Sequence, residues 1–86
     1  MPQLSRFFGI VIYMYYGDHL PPHFHVEYNE FEAKINIQTL EIIKGNLPNR
    51  VYALAIEWAS LHRTELLNDW EIMLKGQTLL PIDPLK

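Results

Sequence analysis

The stretch Gly17-Asp18-His19-Leu20-Pro21-Pro22-His23-Phe24-His25 holds three of the chain's four histidines and leads from a turn into a strand. Its Pro21-Pro22 pair holds the connection extended, because proline fixes φ and keeps the preceding residue out of the helical region. From His23 onward apolar and polar residues alternate, which predicts a strand with Phe24 on one face and His23 and His25 on the other. The direction in which these imidazoles face decides both the fold and the candidate site.

Three further segments are predicted to join this strand in an antiparallel sheet. Residues 5–16 are apolar at both parities, which is typical of a strand covered on both faces. The strand at residues 23–29 ends at a turn, and the alternation resumes over residues 31–38. Residues 40–44 predict a short fourth strand that ends at Gly45. The predicted sheet is therefore a β-meander of three to four strands.

The register of the central hairpin follows if its turn is centred on Asn29-Glu30. His25 then lies opposite Lys34. Glu27 lies opposite Glu32, and two facing carboxylates repel one another unless a positive group lies between them. A protonated histidine, a lysine or a metal ion would supply that charge. The ionisable groups of the sheet are therefore expected on the face opposite the core.

The C-terminal half of the chain predicts helix. Pro48 is acceptable in a first helical turn, and neither Gly nor Pro occurs again before Gly76. One straight helix of that length would span roughly 42 Å, whereas a compact chain of this size is only about 30 Å across. We therefore predict two helices, or one sharply bent helix, with a break near residues 62–64.

An apolar stripe that includes Leu54 and Trp58 supports this break. A single straight helix would continue the stripe through Glu65 and Asp69 and would bury two carboxylates. The predicted fold class is α+β, with one domain over residues 1–86. In it an antiparallel sheet precedes two C-terminal helices packed on one of its faces.

Composition and charge restrict the function classes. The 86 residues include no cysteine, which excludes disulfides, thiolate zinc sites and cysteine nucleophiles. The net charge is −3 and the seven Lys and Arg are scattered, so nucleic-acid binding by this chain alone is disfavoured. The longest apolar stretch, residues 7–16, is too short to span a bilayer, and no export signal is apparent. We expect a cytoplasmic protein with no membrane association.

The candidate metal ligands are His23, His25 and Glu32. The two histidines are two residues apart on one strand and therefore share a face, close enough to share an ion. A divalent metal such as zinc is one alternative for this site. The absence of any cofactor is the other, since histidine is ordinary on the polar face of an antiparallel sheet.

General acid–base catalysis without a metal is a further alternative, because histidine titrates near neutral pH. No serine or threonine is linked in the sequence to the histidines, so no nucleophile accompanies them. His62 ends the apolar stripe of the first helix and is also explained as a hydrogen-bonded core residue. Replacing His23 and His25 together is expected to leave folding intact. The candidate catalytic residues are His19, His23, His25, Glu32 and His62.

Several motifs of this chain resemble those of one family. They are Pro21-Pro22-His23-Phe24-His25 with the upstream Asp18-His19, the run at residues 5–12, and Glu57-Trp58-Ala59. They resemble a family of small bacterial proteins, numbered 4160 among the domains of unknown function. The resemblance implies no specific chemistry. Members are often found beside a second small domain of unknown function, in an arrangement similar to toxin–antitoxin pairs, which implies a small partner protein encoded alongside.

Two functions therefore stay open. In the first, the protein is one component of a toxin–antitoxin-like module and binds its partner through the histidine-bearing face or an open sheet edge. In the second, it is a small metal- or histidine-dependent hydrolase or nuclease. The acidity and the missing nucleophile favour the first. A homodimer is also expected, because four side chains would form an uncovered apolar surface: Phe7, Val11, Tyr13 and Tyr15.

Overall fold

The computed structural model describes residues 2–86, in which an antiparallel sheet of five strands is followed by two helices. The strands are β1 (Gln3–Phe7), β2 (Ile10–Tyr13), β3 (His23–Tyr28), β4 (Phe31–Asn36) and β5 (Ile42–Gly45). The helices are α1 (Asn49–Leu61) and α2 (Arg63–Leu74). The strands pair in sequence order, so the sheet is a meander. The predicted α+β class is confirmed, with one strand more than expected.

The additional strand comes from a tight turn within the segment predicted as one central strand. Phe8 and Gly9 have positive φ values of 51° and 79°, which is the pattern of a type I′ hairpin turn. The chain reverses there, so Phe7 pairs with Ile10 and both side chains lie in the core. Phe8 is 59% exposed. The prediction of a continuous strand over residues 5–16 was therefore wrong.

The predicted register of the central hairpin is confirmed. His25 pairs with Lys34, and Glu27 pairs with Glu32, across β3 and β4. The alternation thus places His23 and His25 on the sheet face opposite Phe24. Phe24, on the other face, packs against Trp58 of α1 with ring centroids 6.0 Å apart.

The core lies between the sheet and the two helices. Trp58 is fully buried at its centre, and its ring centroid lies 5.6 Å from that of Phe7. Leu54, which was also predicted to be buried, is only partly covered. The helices part at His62, whose φ of −123° is not helical. The predicted break near residues 62–64 is therefore confirmed.

The C-terminal tail fills the space beside the helices. The Ile82 N–H donates a hydrogen bond of 2.8 Å to the Leu4 carbonyl in β1, and Trp58 Nε1–H donates one of 2.7 Å to the Asp83 carbonyl. No helix within residues 2–86 is long and apolar enough to cross a membrane.

The apolar surface predicted on the first strand is mostly absent. Phe7, Val11 and Tyr13 are buried within the chain, and only Tyr15 remains exposed, at 42%. Phe7 is buried because the turn at residues 8–9 places it in the core. The surface on which the homodimer was predicted is therefore reduced to one side chain.

Asp69 departs from the expectation that the helix break keeps carboxylates out of the core. Glu65 is exposed, but Asp69 is only 1% exposed. Its Oδ1 accepts a hydrogen bond of 2.9 Å from the Leu80 N–H in the tail, while Oδ2 has no hydrogen-bond partner among the described residues. Burial raises the pKa of the Asp69 carboxyl, with Glu65 adding to the rise and the Leu80 N–H opposing it.

We expect Asp69→Asn to change the pH dependence of stability. A carboxyl whose pKa is raised by folding contributes stability at low pH, which is lost as the pH rises through the folded-state pKa. The asparagine keeps an oxygen for the Leu80 N–H but cannot ionise. The variant should therefore gain stability relative to wild type between about pH 4 and about pH 7. Parallel urea unfolding curves of both proteins measure this difference, and a constant offset across that range would contradict it.

Candidate functional site

Three side chains converge on the sheet face opposite Phe24: Asp18, His23 and His25. Asp18 Oδ2 lies 2.8 Å from His25 Nε2 and 3.2 Å from His23 Nε2. One ligand atom from each residue lies within 4.8 Å of the other two, and no other group of three or more His, Cys, Asp or Glu residues within residues 2–86 does so. We call these three residues the Asp–His–His cluster.

The cluster is built from one strand and one loop. His23 and His25 share a face of β3 because side chains two apart on a strand point the same way, and their ring centroids are 5.1 Å apart. The connection between β2 and β3 folds back over this face and brings Asp18 between the two rings. Its preceding residue, Gly17, has a φ of 86°, which glycine adopts without steric cost.

The cluster is buried, contrary to the expectation of a solvated polar face. His23 is 3% exposed and His25 is 7% exposed. The Trp70 ring of α2 lies 5.2 Å from the His23 ring. The Tyr13 ring stacks on His25 with centroids 5.2 Å apart and an interplanar angle of 14°. Because both histidines pack against aromatic rings, we now expect their replacement to lower stability as well as to change the site.

The hydrogen bonds of His23 determine which of its nitrogens is free. Its Nδ1 lies 2.8 Å from the Pro21 carbonyl oxygen. A carbonyl can only accept, so Nδ1 carries the proton and the neutral ring has a bare lone pair at Nε2. That Nε2 is buried and without a hydrogen-bond partner among the described residues. It lies 3.2 Å from Asp18 Oδ2, which is within ion-pair distance.

His25 is held differently. Its Nε2–H donates a hydrogen bond to Asp18 Oδ2, and this proton would have to leave Nε2 before that nitrogen could bind a cation. Burial lowers the pKa of His25, and the Asp18 carboxylate opposes that effect. Burial also raises the pKa of the Tyr13 hydroxyl, with Tyr15 contributing in the same direction. The stack of Tyr13 on His25 is therefore a contact between uncharged rings at neutral pH.

Two cavities flank the cluster. One of about 220 Å³ is lined by His25 and by side chains of β2, β4 and β5, which include Tyr13, Glu32, Lys34 and Lys44. The other, of about 180 Å³, is lined by Asp18 and His23, and by residues that include His19 and Lys34. Both sides of the cluster are thus open to small molecules, and Lys34 borders both cavities.

The structure brings together some of the residues predicted from the sequence. His23 and His25 belong to the cluster. Glu32 lines the cavity beside His25 but lies outside the group of possible metal ligands. His19 is exposed at the second cavity. His62 lies elsewhere, where it pairs with Glu65 and its ring packs 5.5 Å from that of Trp58.

Asp18 is the residue that sequence reasoning missed. It was named only in the motif of the family resemblance, whereas His19 of the same loop was chosen as a candidate catalytic residue. The structure shows that this loop does fold back but presents the preceding residue. The available signal was a carboxylate five residues before one histidine and seven before the other. Two prolines restrict the conformation of the connection between them.

Comparison with protein families identifies the chain. The model of a domain of unknown function, DUF4160, matches residues 9–71, which is well over half of the sequence. The chain belongs to the DUF4160 family. The matched region of this DUF4160 protein runs from β2 into α2 and contains the whole Asp–His–His cluster. No curated protein and no solved structure gave a significant match.

The donor set of the DUF4160 cluster fits a zinc ion. Zinc binds imidazole nitrogen and carboxylate oxygen at about 2.0–2.2 Å, which places tetrahedral ligand atoms about 3.3 Å apart. The two distances from Asp18 Oδ2, 2.8 Å and 3.2 Å, are within a few tenths of an ångström of that spacing. The Pro21 carbonyl orients His23 through Nδ1–H, as backbone carbonyls commonly do for metal-binding histidines.

Proposed function

We propose that this DUF4160 protein binds a divalent transition metal, with zinc the best fit, through Asp18, His23 and His25, and uses it in hydrolysis. The observation that carries the proposal is the Nε2 lone pair of His23. It is buried, lacks a hydrogen-bond partner among the described residues and lies 3.2 Å from a carboxylate oxygen. A cation at this position would relieve the unfavourable burial of two acceptors side by side.

The types of ligand favour zinc over the hard cations. Calcium takes six to eight oxygen ligands and magnesium usually retains several waters, whereas two imidazoles and one carboxylate are a common zinc set. Three protein ligands also leave a fourth position for water, as in catalytic rather than structural zinc sites. This position would adjoin one of the two cavities.

Hydrolysis follows from such a site by ordinary chemistry. Zinc lowers the pKa of a bound water to about 7. Glu32 lines the cavity beside His25 and would serve there as the general base. In hydrolysis the water oxygen would form a bond to the electrophilic atom of the substrate while the bond to the leaving group breaks, and the leaving group would take up a proton from the solvent.

Titration calorimetry with zinc chloride tests the proposal on protein freed of metal by a chelator. We expect one zinc ion to bind per chain, because the ligands form a single group. Binding of no zinc, or binding that is unchanged when Asp18 is replaced by asparagine, would reject the metal site.

A second function is proposed because β5 forms an open sheet edge. All four residues of β5 are exposed, and Ile43 is 45% exposed. An open edge offers unpaired backbone groups to which a partner can add a strand. We propose that a small protein encoded alongside binds here, in a cytoplasmic two-component module of toxin–antitoxin type. The homodimer predicted from the sequence stays a prediction.

Coexpression with the product of the adjacent reading frame tests this second function. We expect Ile43→Lys to break the complex, because it puts a charge on β5 beside the added strand, while Leu61→Lys on α1 should leave it intact. Leu61 is the matched control because it is also apolar and exposed, at 67%. A complex that resists Ile43→Lys, or that never forms, would contradict binding at β5.

A further inference from the structure

We infer, on the basis of the proposed function, that the substrate is a phosphate monoester whose phosphoryl group is held by Lys34 and Lys44 beside the metal. The ester would enter the cavity of about 220 Å³, which both lysines and His25 line. The two ammonium groups would bind the phosphate oxygens.

The pairing of the strands places these groups in one row. Tyr13 of β2 pairs with His25 of β3, His25 pairs with Lys34 of β4, and Lys34 pairs with Lys44 of β5. Directly paired residues of antiparallel strands project from the same face. The proposed metal ligand His25 and the two cations Lys34 and Lys44 therefore lie side by side on one face of the sheet.

The two lysines have no other evident role. Like charges directly opposite one another destabilise a strand pair. Neither ammonium has a carboxylate within 4.0 Å among residues 2–86, where the ion pairs are all formed by histidines. Lys34 is moreover partly buried. Two unpaired cations facing each other at the rim of a cavity are explained by an anionic ligand that binds between them.

The charges and the size of the cavity favour a monoester. Two lysines and the Glu32 carboxylate line it, and a terminal phosphate, with two negative charges, gains more from the two lysines than a diester with one. The cavity is smaller than the roughly 300–1,000 Å³ of sites that enclose a whole drug-sized ligand, so it would hold a phosphoryl head group and leave the rest outside. Tyr15, 42% exposed beside His25, is placed to contact that remainder. The net charge of −3 disfavours a long polyanion.

The reaction of this substrate balances without a further reagent. The oxygen of water forms a bond to phosphorus, and the bond from phosphorus to the ester oxygen breaks. Glu32 takes one proton from the water and releases it to the solvent, and the departing ester oxygen takes a proton from the solvent to become an alcohol. The products are the alcohol and inorganic phosphate. Lys34 and Lys44 stabilise the charge on the phosphoryl oxygens as it develops.

The test measures binding of phenyl phosphate and of diphenyl phosphate by calorimetry, to zinc-loaded and to metal-free protein. The variants are Lys34→Met and Lys44→Met, with Lys75→Met at the end of α2 as the matched control. Zinc binding is measured on all of them. We expect each cavity variant to lose at least about tenfold in affinity for phenyl phosphate, because a charge-assisted hydrogen bond is lost. Zinc affinity and the Lys75→Met variant should change little.

The outcomes separate this inference from the proposed function. If zinc binds but phenyl phosphate does not, or binds independently of both lysines, the phosphate site is rejected and the metal site stands. If zinc fails to bind while phenyl phosphate still binds through the lysines, the phosphate site stands and the metal site is rejected. Diphenyl phosphate should bind more weakly than phenyl phosphate, and equal affinity would overturn the assignment to a monoester.

Discussion

Replacing Trp58 by alanine is expected to lower the free energy of unfolding by about 3–5 kcal/mol, the usual cost of emptying a fully buried tryptophan site. The ring is completely buried and contacts Phe7 and Phe24, so it connects β1, β3 and α1. Its Nε1–H also holds the tail through the Asp83 carbonyl. Native domains have a free energy of unfolding of about 5–15 kcal/mol, and small ones lie near the low end of that range, so the variant should be close to unfolded.

Two other variants separate the causes of this loss. Trp58→Phe keeps most of the apolar contacts but removes the hydrogen bond to Asp83, so it should cost less than alanine. Leu61→Ala on the same helix changes an exposed side chain and should alter stability by no more than about 0.5 kcal/mol. Urea unfolding measures all three. An alanine variant as stable as Leu61→Ala would show that Trp58 does not anchor the core.

The second large effect is expected on addition of zinc. A ligand at about 100 times its dissociation constant raises the free energy of unfolding by about 2.7 kcal/mol when it binds only the folded state. For a chain of this length that corresponds to an increase of about 10–20 °C in the melting temperature. His23→Gln should abolish the increase. Loss of an outer-shell partner alone costs up to about 100-fold in metal affinity, and loss of a ligand should cost at least as much.

The chain supplies matched controls for this prediction in its other two histidines. His19 borders a cavity without belonging to the cluster, and His62 is paired with Glu65. The variants His19→Gln and His62→Gln should both keep the zinc-dependent increase. Because His23 is buried, its variant is compared with and without zinc, so that a loss of intrinsic stability does not count as a loss of zinc binding. An increase that survives in His23→Gln would contradict the proposed ligands.

The central hairpin could be predicted from the sequence because its alternation is strict. A slip of one residue would move Phe24 to the polar face and His25 into the core, so the register is strongly specified. The turn residues Asn29-Glu30 then fix the pairing of Glu27 with Glu32. The identity of the histidine-bearing face was settled by this pattern alone.

The hairpin of β1 and β2 could not be predicted in the same way. Residues 7–16 are apolar at nearly every position, so no alternation reveals where the chain reverses. The turn itself has a phenylalanine at positive φ, which is uncommon for a bulky residue. Because the reversal was not predicted, Phe7 was assigned to the wrong face of the sheet.

Asp18 and Asp69 were also beyond prediction, because both depend on how irregular segments fold back. Asp18 becomes part of the candidate site only through the path of the loop before Pro21. Asp69 is buried only because the tail delivers the Leu80 N–H to it. Hydrophobic periodicity contains no information on either path. The missing residue of the candidate site was therefore a loop residue, whereas the two histidines were found on a strand.

The central claim is that Asp18, His23 and His25 together bind one metal ion. Anomalous diffraction at the zinc absorption edge, from crystals of wild-type protein grown with zinc chloride, tests it most directly. We predict one strong anomalous peak per chain, within about 2.2 Å of Asp18 Oδ2 and of the Nε2 atoms of His23 and His25. A map with no peak between these three side chains, or with zinc bound only at other residues, would contradict it.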